Sequence, residues 1–171
     1  PTKLIPPQPA NRINAVAASG NLVIVADLER TLKVWDSTRP LIKPTPAAGH
    51  TRQVLSLALS DAGSILASGS VDQTVRLWNF PGMTPLPGWP SPPPSSAGAV
   101  TALAFNPGGT RIAAVDDVGT LNVWTVSTGA SVLNLKVSGA SDKAYGLAWN
   151  ADGTEVAVAI EPDRVVFVKI P

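Results

Sequence analysis

The sequence predicts an all-β chain built from one four-stranded antiparallel unit repeated four times. A tryptophan-centred motif recurs at near-constant spacing, an apolar run recurs upstream of it, and no segment sustains a helical period. The motif reads Thr31-Leu-Lys-Val-Trp-Asp36, Thr74-Val-Arg-Leu-Trp-Asn79 and Thr120-Leu-Asn-Val-Trp-Thr125, with a decayed copy at Arg164-Val-Val-Phe-Val-Lys169. Trp35, Trp78, Trp124 and Val168 are separated by 43, 46 and 44 positions, the spacing of one propeller blade per repeat.

Each element follows from local chemistry. The inner strands are Ile13 to Ser19, Val54 to Ser60, Val100 to Asn106 and Tyr145 to Asn150. Three of them run into turns at Asp61-Ala-Gly63, Asn106-Pro-Gly-Gly109 and Asn150-Ala-Asp-Gly153, where glycine accepts positive φ and aspartate or asparagine bonds nearby backbone. The second strands after these turns (Ile65 to Ser70, Arg111 to Val115, Glu155 to Ile160) are apolar and rich in small or β-branched residues, as suits strands sandwiched between sheets. An outer edge strand tolerates proline, so Leu41 to Pro46, the region Pro81 to Pro94 and Leu4-Ile5-Pro6-Pro7 are assigned there. Counted from the preceding outer strand, the blades cover approximately 4–36, 41–79, 81–125 and 131–170 of a single propeller segment.

Composition bounds the chemistry. With 171 residues, 44% apolar and 15% charged, the chain can bury a core. Lysine plus arginine (13) balances aspartate plus glutamate (12) without clustering, which argues against nucleic acid. No cysteine is present, and His50 is the one histidine, so no metal site or cofactor is expected. Asp152 and Glu155 are too isolated for calcium. No run of 18 apolar residues occurs, and prolines break Pro1 to Pro9 where a signal peptide needs continuity, so the expectation is a soluble, cytoplasmic protein without a membrane partner. The initial proline suggests a processed product, a trimmed chain or a fragment.

Gly49-His50, Leu66-Ala-Ser-Gly-Ser-Val-Asp72 and Thr74-Val-Arg-Leu-Trp-Asn79 resemble the WD-repeat family, and the resemblance extends over essentially the whole chain. It implies a buried hydrogen-bonded set of His50, Ser68, Asp72 and Trp78, with Trp35 and Trp124 as the other repeat tryptophans. Three of these residues, Ser68, His50 and Asp72, also invite a hydrolase reading. Ser68 lies mid-strand, however, without the sharp strand-to-helix turn that exposes a nucleophile, so a structural role is expected and no enzyme activity. Six positions before the other tryptophan equivalents stand Glu29, Val118 and Pro162, and ten before stand Val25, Ala114 and Val158. Those blades are therefore expected to hold together by apolar packing and backbone ladders. Acidic residues at Asp27 and Glu29, Asp116 and Asp117, and Glu161 and Asp163 would give one rim an acidic cast.

The resemblance implies a protein or peptide partner held on an end face. Positions carried over from the family are Arg52, Gln53, Leu28, Val71, Asp117, Glu161, Lys143 and Tyr145. Pro87 to Pro90 has a polyproline spacing, but an edge strand with Trp89 packed on its own blade accounts for it, and Trp149 reads as core. The leading expectation is an interaction scaffold. A second is an assembly unit, since four repeats leave two apolar blade faces open: a second copy would make an eight-bladed ring with two-fold symmetry. The remainder of a longer chain, or a tight four-bladed ring, are the other ways to cover them. A third expectation is a regulatory domain of a larger multidomain enzyme.

Overall fold

A computed structural model describes residues 12–28, 30–38, 49–90, 94–139 and 142–171, which form fourteen strands and no helix. The first sheet is β1 (Ile13–Ser19), β2 (Leu22–Asp27) and β3 (Leu32–Asp36); the second is β4 (Val54–Leu59), β5 (Ile65–Ser70), β6 (Val75–Asn79) and β7 (Thr84–Pro85). The third contains β8 (Val100–Phe105), β9 (Arg111–Asp116), β10 (Thr120–Thr125) and β11 (Ser131–Lys136), and the fourth β12 (Ala144–Trp149), β13 (Glu155–Ile160) and β14 (Arg164–Lys169). Every pairing is antiparallel between sequential strands. The chain is thus all-β, with antiparallel blades stacked one on the next as in a propeller.

The turns form where glycine permits them. Gly63, Gly109 and Gly153 all have positive φ, and their amides donate to the carbonyls of Ser60, Asn106 and Asn150. Outer strands pair with the third strand that precedes them, so a repeat counted from its outer strand is offset from its sheet by one strand. In the proline-rich region the edge strand shrinks to Thr84–Pro85, because each proline removes a ladder donor. Trp89 then folds back, donating from Nε1 to the Val75 carbonyl at 3.1 Å and meeting Trp124 of the next blade edge to face at 6.5 Å. The outer-strand assignments at 4–7 and 41–46 lie outside the described residues.

The core sits between sheets. Ile24, Ala26 and Leu32 pack on Leu66 and Trp78 of the second blade; Ala67, Val75 and Leu77 pack on Leu103, Ile112 and Trp124 of the third; Ala113, Leu121 and Val123 pack on Val156, Val158 and Val168 of the fourth. Each inner strand carries a bulge after its first residue, between Ile13 and Ala15, Val54 and Ser56, Val100 and Ala102, and Ala144 and Gly146. Side chains at or beside these bulges lace neighbouring blades: Asn14 donates to the Val54 carbonyl at 3.1 Å, Ser56 to Val100 at 3.2 Å and Thr101 to Ala144 at 2.7 Å. Trp149 is core, its Nε1 donating to the Ala104 carbonyl at 3.0 Å.

Where blades approach closely, small residues are obligatory. A Cβ on Gly69 would lie 2.4 Å from Val100 Cγ1 and 2.5 Å from Ser56 Oγ. Gly69→Ala is therefore expected to lower stability by about 1–3 kcal/mol through overpacking. Gly82→Ala meets nothing within 4 Å and serves as the control in thermal denaturation. Equal midpoints for the two variants would show that the blades can part without cost.

Candidate binding face and the polar networks beneath it

In the second blade the loop before β4 brings His50 over the strand pair β5 and β6. His50 Nε2 lies 2.8 Å from Ser68 Oγ, Trp78 Nε1 donates to the same hydroxyl at 2.9 Å, and His50 Nδ1 lies 3.0 Å from Asp72 Oδ2. A neutral imidazole with its proton on Nδ1 satisfies every group. The indole N–H donates to Ser68, the Ser68 O–H donates to Nε2, and Nδ1–H donates to the carboxylate. Asp72 also accepts from Thr51 N at 2.8 Å, Thr74 N at 3.0 Å and Thr74 Oγ1 at 2.6 Å.

Electrostatics agree with that proton arrangement. Burial outweighs the attraction of Asp72 and lowers His50 below the ordinary imidazole value. For Asp72, burial pushes upward, but hydrogen bonds from Thr74 and Thr51 and the proximity of His50 prevail and hold it at about 2. Ser68 is fully buried beneath the imidazole and the indole, so the set braces the junction of the loop with two strands.

The third blade contains a second network, which corrects the expectation that it relies on packing and ladders alone. Asp116 is fully buried and accepts from Ser96 Oγ at 2.7 Å, Gly98 N at 2.9 Å and Thr120 N at 2.7 Å. Asn122 Nδ2 donates to Ser96 Oγ at 2.8 Å. Ser96 precedes Val100 by four positions, as His50 precedes Val54, so a serine occupies the histidine's place. The carboxylate has moved two positions upstream, to the place of Ser70, from which it reaches the same loop. The first blade places Asp27 at that position too, and Lys33 Nζ donates to it at 2.6 Å with both side chains largely buried.

These placements also correct the acidic rim. Asp27 and Asp116 point inward to cap backbone amides or pair with lysine, because an acid at the end of a second strand sits beside the unsatisfied N–H groups of the loop. Asp117, Glu161 and Asp163 remain at the rim; Glu29 lies outside the described residues.

All eight carried-over residues lie at one end of the propeller, where second strands turn into third strands beside the entry to the inner strands. The amides of Val71, Asp117 and Glu161 donate to the carbonyls of Gln53, Ala99 and Lys143, one equivalent bond per blade. Leu28, Arg52, Gln53 and Val71 line one cleft of about 430 Å³, together with Thr51 and Arg30. Arg30 was not among the residues singled out from the sequence. It occupies a left-handed position (φ 67°) five residues before Trp35, as Gln73 and Gly119 do before their tryptophans, and that shared offset is the signal that identifies it. Tyr145, Glu161 and Asp117 form a separate group. Partial desolvation, a hydrogen bond to Glu161 and the charges of Glu161 and Asp117 raise the Tyr145 phenol. Lys143 joins this group through its backbone and presents an exposed side chain.

Residues 44–79 match the family model described as WD domain, G-beta repeat. The chain is 40% identical to the periodic tryptophan protein 2 homolog of Schizosaccharomyces pombe, over 67% of this chain and 13% of that protein. It is 42% identical to the guanine nucleotide-binding protein subunit beta of the same yeast, over 41% of this chain and 23% of that one. Nuclear distribution protein PAC1-2 of Uncinocarpus reesii is 28% identical, over 66% and 37%. The chain therefore spans well under half the length of these relatives. Among solved structures it is similar to the computationally designed Ika4 protein (TM-score 0.77, 25% identity, 95% of this chain and 93% of that one). It is also similar to the designed Ika8 protein (TM-score 0.76, 25% identity, 92% and 46%).

Ser68→Ala strands the Trp78 N–H and the His50 ring, at roughly 1–3 kcal/mol for each buried group, so its melting temperature is expected to fall well below that of the parent. Unchanged melting together with fluorophosphonate labelling of Ser68 would make it a nucleophile instead. The histidine supplies a pH test. Its folded pKa lies below the unfolded value of 6.5, so stability from this site is complete above pH 6.5 and is lost as pH falls towards the folded value. Asp72 is depressed from 3.8 to about 2, so its contribution is complete above pH 3.8 and is lost as pH falls through about 2. Denaturation midpoints measured from about pH 7.5 down to 5 should decline in the parent and stay flat in His50→Gln. Parallel slopes would mean that His50 titrates as it does in water.

Proposed function

Because the chain belongs to the WD-repeat family, we propose that it is a non-catalytic scaffold that holds a protein or peptide partner on the end face carrying Leu28, Arg30, Arg52, Gln53 and Val71. One observation carries this reading. Two loops from different blades converge there on a cleft with apolar walls (Leu28 and Val71) and two exposed guanidinium groups (Arg30 and Arg52). Such a site suits an extended segment with an acidic group flanking an apolar side chain, since guanidinium forks recognise carboxylates in defined geometry. The rigid networks beneath would hold the loops in place, so a partner need not order them on binding.

Relatives that share the repeat include proteins named as subunits, among them a guanine nucleotide-binding protein subunit beta and THO complex subunit 3. Their names support a role within an assembly. A cytoplasmic location is proposed with it.

A second reading has an observation of its own. Val165 and Phe167 on β14 are exposed, although the same positions in the second and third blades are buried. The four blades are then part of a larger ring, completed by another copy or by the rest of a longer chain.

On a peptide array, acidic-apolar sequences should be retained by the parent. Retention should fall at least tenfold in the double variant Arg30→Glu, Arg52→Glu, whereas Asp117→Lys with Glu161→Lys should leave it unchanged. Equal retention by parent and arginine variant would remove the cleft from consideration.

A further inference from the structure

We propose that the acidic group recognised by the cleft between the first two blades is a phosphomonoester, so that the partner is a protein segment phosphorylated on serine or threonine beside an apolar residue. This rests on the reading of that cleft as the partner-binding site.

In the lining of this cleft the acceptors are engaged within the fold. Ser70 Oγ donates to the Gln53 carbonyl at 2.8 Å and lies 3.2 Å from that of Arg52. The Val71 amide donates to Gln53 at 2.9 Å, and Arg30 Nη1 to the Thr51 carbonyl at 3.4 Å. Beneath them the Asp72 carboxylate is occupied by His50, Thr51 and Thr74. What remains for a ligand is rich in donors: the guanidinium groups of Arg30 and Arg52, the Thr51 hydroxyl and the Gln53 carboxamide, all on exposed residues. Among the described residues neither arginine has an ion-pair partner. Arg30 stands five positions before Trp35, and Arg52 two before Val54; the matching pairs at the next two junctions are Gln73 with Gly98 and Gly119 with Asp142. Stacking one blade on another therefore does not call for two cations at this place.

Charge and shape select phosphate over carboxylate. The two arginines reach the cleft from different blades, Arg30 from the turn between β2 and β3 and Arg52 from the loop that enters β4. A carboxylate holds its two oxygens in one plane, and one guanidinium fork occupies both, which leaves the second cation unpaired. A phosphomonoester carries a charge of about −1.5 to −2 at neutral pH and three terminal oxygens directed apart, so it can engage both guanidinium groups from two sides. The apolar walls Leu28 and Val71, in the same cleft of about 430 Å³, offer contact to a neighbouring side chain of the segment. Anionic membranes and nucleic acid present phosphate as extended surfaces. Such surfaces would also meet the exposed acids Asp117, Glu161 and Asp163 at the rim, and the chain as a whole carries a net charge of only +1. A single phosphorylated side chain enters the cleft without crossing those acids.

The test is a peptide array in which one position is phosphoserine, phosphothreonine, glutamate or serine and its neighbours vary over apolar residues. Phosphorylated members should be retained about tenfold more strongly than their glutamate counterparts, the effect of one further charge-assisted hydrogen bond. Arg30→Gln and Arg52→Gln should each abolish that difference and keep the parent's circular dichroism; both side chains are exposed, and Gln73 already holds the left-handed position of Arg30 in the second blade. Arg30→Lys and Arg52→Lys, which keep the charge without the fork, should lose part of the difference and stand in for a glutamine variant that unfolds. Equal retention of glutamate and phosphorylated peptides, lost in the arginine variants, overturns the phosphate assignment and leaves the acidic-apolar scaffold reading standing. Phosphopeptide retention that is unchanged in the arginine variants overturns it too, because the cleft is then not the site. Stronger capture by phosphatidylcholine vesicles carrying a phosphoinositide than by any phosphopeptide overturns it in favour of a membrane. Retention of no peptide at all sinks the assignment and the scaffold reading together.

Discussion

Each sheet of this chain is apolar on both faces, and a sheet of three or four short strands cannot cover even one of them by itself. The stacking of blade on blade is therefore the interaction from which the rest of the structure follows. It dictates that second strands, which lie between two neighbours, carry small or β-branched side chains such as Ala26, Ala67, Ala113 and Val158. It also requires glycine where Gly69 faces Val100, since any side chain there would wedge the blades apart. Burying a Val or Leu at these contacts contributes roughly 1.5–3 kcal/mol, so stability accumulates junction by junction and not within any one sheet.

Stacking has a polar consequence at the rim. The loop that crosses from an outer strand into the next inner strand passes over the ends of two buried strands, and its amides must find acceptors. The second blade answers with Asp72 backed by His50 and Ser68, the third with Asp116 backed by Ser96 and Asn122, and the first sets Asp27 against Lys33. The donors and acceptors differ, but in the second and third blades a carboxylate binds both the entering loop and the start of the third strand. That common role explains how the histidine and serine can be lost from a blade that keeps its tryptophan. The tryptophan itself is replaced at Val168 in the fourth blade, whereas Trp35 and Trp124 are kept although Val25 and Ala114 offer no hydroxyl at the position of Ser68.

Much of this was legible from residues alone, and the parts that were not have identifiable reasons. Inner, second and third strands follow from period-two apolar runs between glycine turns, and those signals are local. The second-blade network was legible because its four residues stand at the spacing of a known repeat. The third-blade network escaped because Asp116 performs a familiar task from a different position, and an acid next to another acid reads as surface charge until its burial is known. Arg30 escaped because left-handed backbone is invisible in a residue other than glycine or asparagine; only its offset from Trp35, shared with Gln73 and Gly119, marks it. In the proline-rich region composition indicated an edge, but not that Trp89 would turn back and pack against Trp124.

Two junctions of the arc present different chemistry at the same end face. The cleft lies at the junction of the first two blades, braced from below by the His50 network. Tyr145 and Glu161 lie on the fourth blade and Asp117 on the third, so they group at the junction of those two blades. Leu28 and Val71 of the basic cleft stand seven positions before Trp35 and Trp78, as Asp117 and Glu161 stand seven before Trp124 and Val168, so equivalent backbone positions carry apolar side chains at one junction and acids at the other. A partner that spanned both junctions would be held in one orientation, because the two sites at the same end face differ in charge.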